Sequence, residues 1–136
     1  MIYLAAGLQF PGERAADSFF WLGAVLQLLA SALSTWAVLV NTHLESTARI
    51  QSDREQKVCT DGPYQYIRHP SYTEILIWCV ATPMMLWGWS VVMIAALAAL
   101  IMIIRTKLED EMLQNELSGY REYAASVRWK LIPFVW

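Results

Sequence analysis

The sequence has few charged residues for its length. Asp, Glu, Lys and Arg make up 16% of the 136 residues, whereas hydrophobic residues make up 57%. Soluble domains carry about 25% charged residues, so this composition argues against an ordinary water-soluble domain and favours a bilayer protein of one domain at most. The formal charge is −2, and no basic face interleaved with aromatic residues is present. Nucleic acid is therefore excluded as the partner.

Cysteine is also scarce, and glycine-rich motifs are absent. Cys59 and Cys79 are separated by prolines and an apolar run, a pattern that suggests neither a disulfide framework nor a metal knuckle. Adding His43 and His69 produces no known metal-ligand spacing, so we predict no metal site and packing roles for both cysteines. No glycine-rich strand–turn–helix unit is present, and a soluble-type dinucleotide-binding fold is not predicted.

Charge is missing altogether from two long segments. The first, residues 18–42, contains 25 residues. As a helix of about 37 Å it would cross a hydrocarbon core of about 30 Å. The ten residues before Pro11 are too short to span and lack the basic start of a secretory signal. We therefore predict a first spanning helix preceded by an amino-terminal stub.

The second uncharged segment, residues 75–104, is longer than one span requires. Pro83 and the group LWGWS that follows it offer a break. We predict two short helices, about 71–87 and 89–105, folded as a hairpin around Gly88. The tryptophans on either side of that glycine would mark the far membrane interface.

Basic residues predict the orientation of this arrangement. Nine of the ten lie between the first span and the hairpin or after the hairpin, and only Arg14 lies elsewhere. By the positive-inside rule, both segments are cytoplasmic. Residues 62–72 and the polar residues after Ile104 would then return to one side of the membrane and meet. We predict an all-α, multi-pass membrane protein, located in the inner membrane if the source is bacterial, with a cytoplasmic site. Its single domain, 1–136, would comprise a stub (1–17), a span (18–42), a cytoplasmic loop (43–70), a helical hairpin (71–105) and cytoplasmic tail helices (106–136).

Residues 62–72, GPYQYIRHPSY, concentrate side chains that a turn alone does not require. Pro70 disfavours helix at His69 and suits a first helical turn, so the second span should begin near residue 70 or 71. Arg68, His69 and the tyrosines of this stretch would supply donors and ring faces for a ligand. The alternative is an interfacial anchor, in which tyrosines lie at the headgroups and Arg68 extends to water.

A second polar group follows the hairpin. On a helix of about 100° per residue, Arg105 and Glu109 fall within an apolar arc, and Asp110 falls at its edge. The pair is spaced for an ion pair and would point inward. The alternative is an interfacial helix with one surface salt bridge. The arc is defined by Leu108, Met112, Leu113 and Leu117, and the residues opposite it are Glu111 and Gln114.

Glu74 lies about one turn inside the second span. An ionised side chain there costs a few kcal/mol unless it is paired. We expect it to face protein or water, with Arg68 or Arg105 as its partner, or to border a cationic ligand.

The stretches GPYQYIRHPSY, RTKLEDEML and GYREYAASVRWKLIPFVW, in this order, closely resemble the isoprenylcysteine carboxyl methyltransferase family. That family is in turn similar to membrane phospholipid methyltransferases. The likeness covers about residues 41–136. In combination these motifs are a specific signal, whereas any one of them alone is weak.

The resemblance implies an integral membrane methyltransferase that uses S-adenosylmethionine. Arg105 would lie close to the methyl acceptor, and Glu109 would act with it in catalysis. Two departures from the family pattern stand out: Glu74 replaces a small residue, and Asp110 replaces a glutamate. The residues implied to bind the cofactor are Tyr64, Arg68, His69, Pro70, Tyr72, Glu109 and Asp110.

Several alternatives stay open at this point. The acceptor could be a prenylated cysteine, another lipophilic carboxylic acid or a phospholipid amine, for which His69 or Glu74 would be the base. Other classes are a non-catalytic membrane assembly protein and a membrane reductase of the sterol-reductase type. A homodimer is also compatible with so few spans.

Overall fold

The computed structural model describes residues 13–41 and 58–136. Within those ranges it contains helices and no strand, which confirms the all-α class for the described part. The elements in chain order are α1 (Glu13–Val40), a 3-10 turn (Gly62–Gln65), α2 (Pro70–Leu86), α3 (Trp89–Glu116) and α4 (Tyr120–Ser126). The predicted stub up to Gly12, Thr42, His43 and the rest of the loop up to Lys57 lie outside the described residues.

Within residues 13–41 and 58–136, two helices are long and apolar enough to cross a membrane. One is the Asp17–Val40 part of α1 and the other is α3. Most of their side chains are exposed, including Leu39 (75%) and Ile94 (69%), as expected for helices whose solvent is lipid. The predicted multi-pass topology and its cytoplasmic orientation remain predictions.

Helices α1 and α2 pack against each other in opposite directions. Phe19, near the start of α1, makes an edge-on ring contact with Trp87 at 5.6 Å, and Gln27 Nε2 donates to Thr82 Oγ1 at 3.1 Å. A Cβ atom at Gly23 would lie only 2.8 Å from the carbonyl oxygen of Ala81. Glycine is therefore required for this close approach of the two backbones.

The break between α2 and α3 falls at the predicted position. Trp87 has φ 45° and Gly88 has φ 142°, so the chain reverses through two residues with left-handed backbone. The predicted end of the next helix near Arg105 is wrong, because α3 continues to Glu116. Residues 105–116 contain no proline or glycine and are mostly good helix formers. The polar segment is therefore a rigid extension of an apolar helix.

The predicted inward arc on this extension is wrong at Leu108, whereas its members Leu113 and Leu117 do pack against buried residues of the protein. Leu108 is 60% exposed and continues the exposed apolar row of Ile101 and Ile104, whereas Thr106 and Asp110 have no exposed surface. The arc assumed that leucines mark the protein interior, a rule for helices in water. On a helix with lipid as its neighbour, apolar side chains face outward, and the polar row faces the protein.

The end of α1 supports the turn before α2. Gly62 has φ 56°, and a Cβ there would lie 2.9 Å from Trp36 Nε1. Ala37 forms a buried cluster with three tyrosines, among which Tyr123 donates a 2.7 Å hydrogen bond to the carbonyl oxygen of Tyr64. The carboxyl end of α1, the 3-10 turn and α4 therefore meet at the end of the molecule that carries the polar residues.

Candidate functional site

The Arg68–His69–Pro70 turn, here called the RHP turn, is held by the carboxy-terminal segment. His69 has φ −128° and ψ 66°, outside the helical region, and α2 begins at Pro70 as predicted. Arg68 N–H donates to the carbonyl oxygen of Trp129 and His69 N–H to that of Lys130, both at 2.9 Å. The turn therefore has its backbone fastened by residues about 60 positions later in the chain.

A buried carboxylate, that of Asp110, lies next to this turn. Asp110 has no exposed surface, and polar side chains from four parts of the chain surround it. Here these residues together are called the Asp110 cluster. The contacts to Oδ1 come from Arg68 Nε (3.3 Å), His69 Nε2 (3.3 Å) and Tyr120 Oη (3.0 Å), and those to Oδ2 come from Lys130 Nζ (3.4 Å) and Gln114 Nε2 (2.8 Å).

The electrostatics of the Asp110 cluster are those of a paired buried anion. Two permanent cations lie beside the carboxylate, which keeps its charge compensated in a buried site. Burial, followed by the negative charge of Asp110 and the hydrogen bond to it, raises the pKa of Tyr120 far above its ordinary value. Tyr120 is therefore a neutral phenol that donates to Asp110.

A second polar group lies on the adjoining face of α3. Arg105 Nε donates to Tyr72 Oη at 2.9 Å, and that hydroxyl in turn donates a short hydrogen bond to Glu109 Oε2. The Arg105 guanidinium carbon also lies 5.5 Å from the centre of the Tyr72 ring. All three residues are half-buried. This group is here called the Arg105–Tyr72–Glu109 triad.

The triad and the Asp110 cluster are adjacent. The rings of His69 and Tyr72 are stacked, with centres 5.7 Å apart and planes within 3° of parallel. His69 contacts Asp110, whereas Tyr72 contacts Glu109, the preceding residue of α3. The structure thus brings together the two sequence stretches that the predicted hairpin returns to one side of the molecule.

Two buried hydroxyls lie beside the triad without a hydrogen bond of acceptable geometry in the described part of the chain. They are Tyr64 Oη and Ser71 Oγ. Burial raises the pKa of Tyr64, and the negative charge of Glu109 adds to the shift, so Tyr64 is a neutral donor near that carboxylate. Asn41 and Ser71 lie close enough to the Tyr64 hydroxyl to lower its pKa in part, so the hydrogen bonding of the two hydroxyls is present but poorly aligned. A bound ligand can improve it.

Sequence reasoning missed part of this arrangement. Lys130 was not singled out, although its ammonium contacts both Asp110 and, at 4.9 Å, the Trp136 ring. Gln114 was placed on the face opposite the site, which is wrong, because it donates to Asp110. Its spacing of four residues from Asp110 on one helix was the available signal.

Glu74 is half-buried. The residues predicted as its partners are engaged with other groups, since Arg68 pairs with Asp110 and Arg105 donates to Tyr72. The buried carboxylate that needs a cationic partner is therefore Asp110, one helix away from Glu74. Hydropathy alone could not predict this burial, because Asp110 lies between Glu109 and Glu111 in a polar stretch of the sequence.

Fold and site together define a helical protein of the membrane type, with its polar site at the end of two candidate spanning helices. Comparison with known families places it further. The model of the isoprenylcysteine carboxyl methyltransferase family matches residues 22–115, more than half of the chain. The chain therefore belongs to that family. The matched range contains the triad and Asp110, whereas Tyr120 and Lys130 lie beyond it.

Curated relatives agree with this assignment. The chain is 32% identical to protein-S-isoprenylcysteine O-methyltransferase B of Arabidopsis thaliana over 146 residues, which cover 98% of this chain and 68% of the relative. It is 31% identical to the A protein of the same plant over the same shares. With the Dictyostelium discoideum protein-S-isoprenylcysteine O-methyltransferase it shares 26% identity over 91% of this chain and 53% of that relative. The protein is a methyltransferase, and the reductase and non-catalytic alternatives are set aside.

Proposed function

We propose that this chain is an integral membrane enzyme that transfers a methyl group from S-adenosylmethionine to the carboxylate of a prenylated cysteine or a similarly lipophilic acid. The observation that carries the proposal is the Arg105–Tyr72–Glu109 triad at the end of an apolar helix. The family of the chain supports the acceptor class, since the relatives are named for isoprenylcysteine. The position of the triad supports a lipophilic acceptor.

The triad lies at the boundary between apolar and polar surface. Ile104, directly before Arg105, is 51% exposed, and Ile75, three residues after Tyr72, is 36% exposed. An acceptor with an apolar chain and an acidic head would lay its chain along such surface and bring its carboxylate to Arg105. In this proposal the apolar faces lie in the membrane, and the triad lies at its cytoplasmic boundary.

Arg105 is suited to orient a carboxylate. Guanidinium groups bind carboxylates through paired, directional N–H donors. The hydrogen bond from Nε to Tyr72 fixes the plane of the guanidinium, and the ring beneath it restricts its rotation. A preoriented cation of this kind lowers the barrier by positioning the nucleophile rather than by binding alone.

A carboxylate acceptor fits the site better than an amine. A carboxylate is already ionised and needs no general base, whereas a protonated amine does. His69, the predicted base for an amine, has its Nε2 within 3.3 Å of Asp110 and 3.4 Å of Tyr120 Oη. That nitrogen is therefore directed into the buried Asp110 cluster and away from an acceptor at Arg105.

The residues present fit S-adenosylmethionine. Its hydroxyl and amino groups match the two buried hydroxyls whose hydrogen bonds are poorly aligned and the carboxylate of Glu109 near Tyr64. When bound, the cofactor supplies an electrophilic methyl group on a sulfonium. Tyr64, Ser71, Tyr72 and Glu109 would hold it. Glu109 would take up an amino or cationic part of it, and the stacked ring of His69 would support Tyr72 from behind.

Three further residues predicted to line the cofactor would instead support the site from within the protein. Arg68, Pro70 and Asp110 are all buried, and Asp110 is surrounded by donors of the protein itself. In this proposal they keep the RHP turn in place, and the turn in turn presents Tyr72 to Arg105 and Glu109. Apolar surroundings keep water from solvating the nucleophile.

The test is a methyl-transfer assay in detergent with labelled S-adenosylmethionine and a farnesylated N-acetylcysteine. We expect Arg105→Ala and Glu109→Ala to lower the rate by about 100-fold or more, the cost of losing a preoriented charge at a reacting group. Lys107→Ala is the matched control on the same helix, since its side chain is 64% exposed. Circular dichroism checks that each variant is folded. If the Arg105 and Glu109 variants are folded and keep the wild-type rate of methyl transfer, the roles proposed for these residues are contradicted.

A further inference from the structure

The carboxy-terminal segment ends in an exposed apolar tip. Ile132, Phe134 and Val135 are 44%, 87% and 73% exposed, and Pro133 lies among them. Leu131, directly before them, is only 1% exposed. Residues 132–135 are here called the tail tip. Phe134 is the most exposed of the large hydrophobic side chains in the described part of the chain, and water is an unfavourable neighbour for such a group.

The segment directly before the tail tip lies beside the RHP turn and the first turn of α2. Trp129 accepts from the backbone of Arg68, the next residue from that of His69, and Leu131 accepts from Thr73 Oγ1 at 2.7 Å. Each step along the tail therefore matches a step along the chain from the RHP turn into α2. Residues 132–135 follow as a turn that brings the Trp136 oxygen back to residues 130–132, and the residue before this turn, Leu131, lies at Thr73, two positions before Ile75, where exposed apolar surface begins.

The backbone of this segment is largely satisfied from within. The N–H groups of residues 130, 131 and 132 donate to the Trp136 oxygen, at 2.9, 3.0 and 3.2 Å. Those of Val135 and Trp136 donate to the carbonyl oxygen of Ile132, both at 3.1 Å. Proline has no N–H group. An irregular segment that meets lipid must satisfy its backbone in this way, because hydrocarbon offers no hydrogen bonds.

The side chains around the tip are those that favour a membrane interface. Trp129 contacts the Phe134 ring, with centres 5.5 Å apart, and the Lys130 ammonium lies 4.9 Å from the centre of the Trp136 ring. Tryptophan is typical at the headgroup level, where one end of the side chain meets apolar groups and the other meets polar ones. The Lys130 ammonium, which also pairs with Asp110, joins this aromatic group to the Asp110 cluster.

We propose that the tail tip inserts into the interface of the bilayer leaflet that surrounds the first turns of α2. The lipid would cover Ile132, Phe134 and Val135 and thereby fix the segment that holds the RHP turn. A depth of about 5–10 Å, usual for interfacial segments, suffices for four residues. This inference rests on the membrane placement given under Proposed function and adds a contact that the spanning helices do not require.

The experiment measures lipid contact with the full chain in phosphatidylcholine nanodiscs. Cys59 and Cys79 are replaced by serine, and single cysteines are introduced at three exposed positions for labelling with an environment-sensitive nitrobenzoxadiazole dye. Fluorescence is recorded with and without lipids that carry a nitroxide quencher near the headgroup. The variants are Phe134→Cys in the tip, Ile94→Cys in the middle of α3 and Glu116→Cys at the polar end of α3, all exposed in the structure.

We expect the Phe134→Cys label to lose much of its fluorescence to the headgroup-level quencher and to emit at shorter wavelength than the Glu116→Cys label. The Ile94→Cys label should respond to a quencher placed deep in the acyl chains. A Phe134→Cys label that behaves like Glu116→Cys, while Ile94→Cys lies in lipid, would overturn the tip insertion and leave the membrane placement standing. This outcome includes a tip covered by a second copy of the chain. An Ile94→Cys label without lipid contact would overturn both.

Discussion

Glu109 and Asp110 are neighbours on one helix, both are acids, and their surroundings differ. Asp110 has no exposed surface and is surrounded by two cations, a histidine, an amide and a phenol of the protein. Glu109 is half-buried, accepts from Tyr72 and lies near the Tyr64 hydroxyl, whose hydrogen bonds to Asn41 and Ser71 are poorly aligned. One carboxylate is saturated by the protein, and the other has capacity for a ligand.

This difference in surroundings assigns different roles to the two carboxylates. A carboxylate whose lone pairs are all occupied ties segments together, and here it joins α3 to the RHP turn, α4 and the tail. A carboxylate next to groups whose hydrogen bonds are poorly aligned is available for binding or chemistry. A rotation of about 100° between consecutive helical residues is enough to separate these roles, because it turns one side chain into the protein and the other toward the triad.

The largest effect should come from removing the charge of Asp110. Asp110→Asn leaves Arg68 and Lys130 without their counter-charge in a buried site, and we expect the free energy of unfolding to fall by about 3–5 kcal/mol. Thermal unfolding in detergent measures this. Glu111→Gln is the control, since its side chain is 54% exposed and surface changes stay within about 0.5 kcal/mol. Equal stability of the two variants would contradict the structural role of Asp110.

Tyr72→Phe tests the triad with little effect on the fold. The substitution keeps the ring stacked on His69 and removes the hydroxyl that joins Arg105 to Glu109. Losing hydrogen bonds to charged groups is worth about 1.5–3 kcal/mol, which corresponds to a rate about 10- to 100-fold lower.

The methyl-transfer assay is compared with Tyr66→Phe, because Tyr66 is 63% exposed. If Tyr72→Phe lowers stability as much as Asp110→Asn while its rate per folded molecule is unchanged, the triad belongs with the structural group.

The smallest effect concerns pH. Burial, and then the charge of Asp110 and the hydrogen bond to it, raises the pKa of Tyr120. Since the unfolded chain releases this proton near pH 10 and the folded chain does not, the contribution to stability is complete below about pH 10 and is lost as the pH rises above it.

Tyr120→Phe should therefore weaken the alkaline loss of stability, at a cost of about 1.5 kcal/mol at neutral pH from the missing hydrogen bond to the Asp110 carboxylate. Unfolding curves between neutral pH and the alkaline transition measure this. Parallel curves for the variant and the original protein above about pH 10 would show that Tyr120 does not contribute.

Much of the fold was predictable because it depends on short-range rules. The two uncharged runs predicted apolar helices, the Trp-Gly-Trp group predicted the reversal at Gly88, and the proline of the RHP turn predicted the start of α2. Each of these follows from the backbone or solvation preferences of residues close in sequence. The family resemblance singled out the triad residues and Asp110, although it did not distinguish their environments.

The predictions that were wrong concern which side chains of a helix face the protein, and this depends on what surrounds the helix. The arc on α3 was assigned as if water lay outside, so Leu108 was turned inward and Gln114 outward, the reverse of what the structure has. The role of Lys130 could not be predicted, because its partner Asp110 lies 20 positions earlier in the chain, beyond any helical repeat. Arg68 was predicted as a possible partner of Glu74, whereas the packing places it, together with Lys130, at Asp110.

The sequence alone was enough to predict the apolar helices, their breaks and the residue types of the site. Hydropathy, proline and glycine act on residues close to them in the chain, so these features follow from local rules. Only the tertiary structure decided which acid is enclosed and which is available. That choice depends on the tail crossing the RHP turn and bringing Lys130 to Asp110, and such a long-range contact is set by packing of distant segments rather than by any local preference.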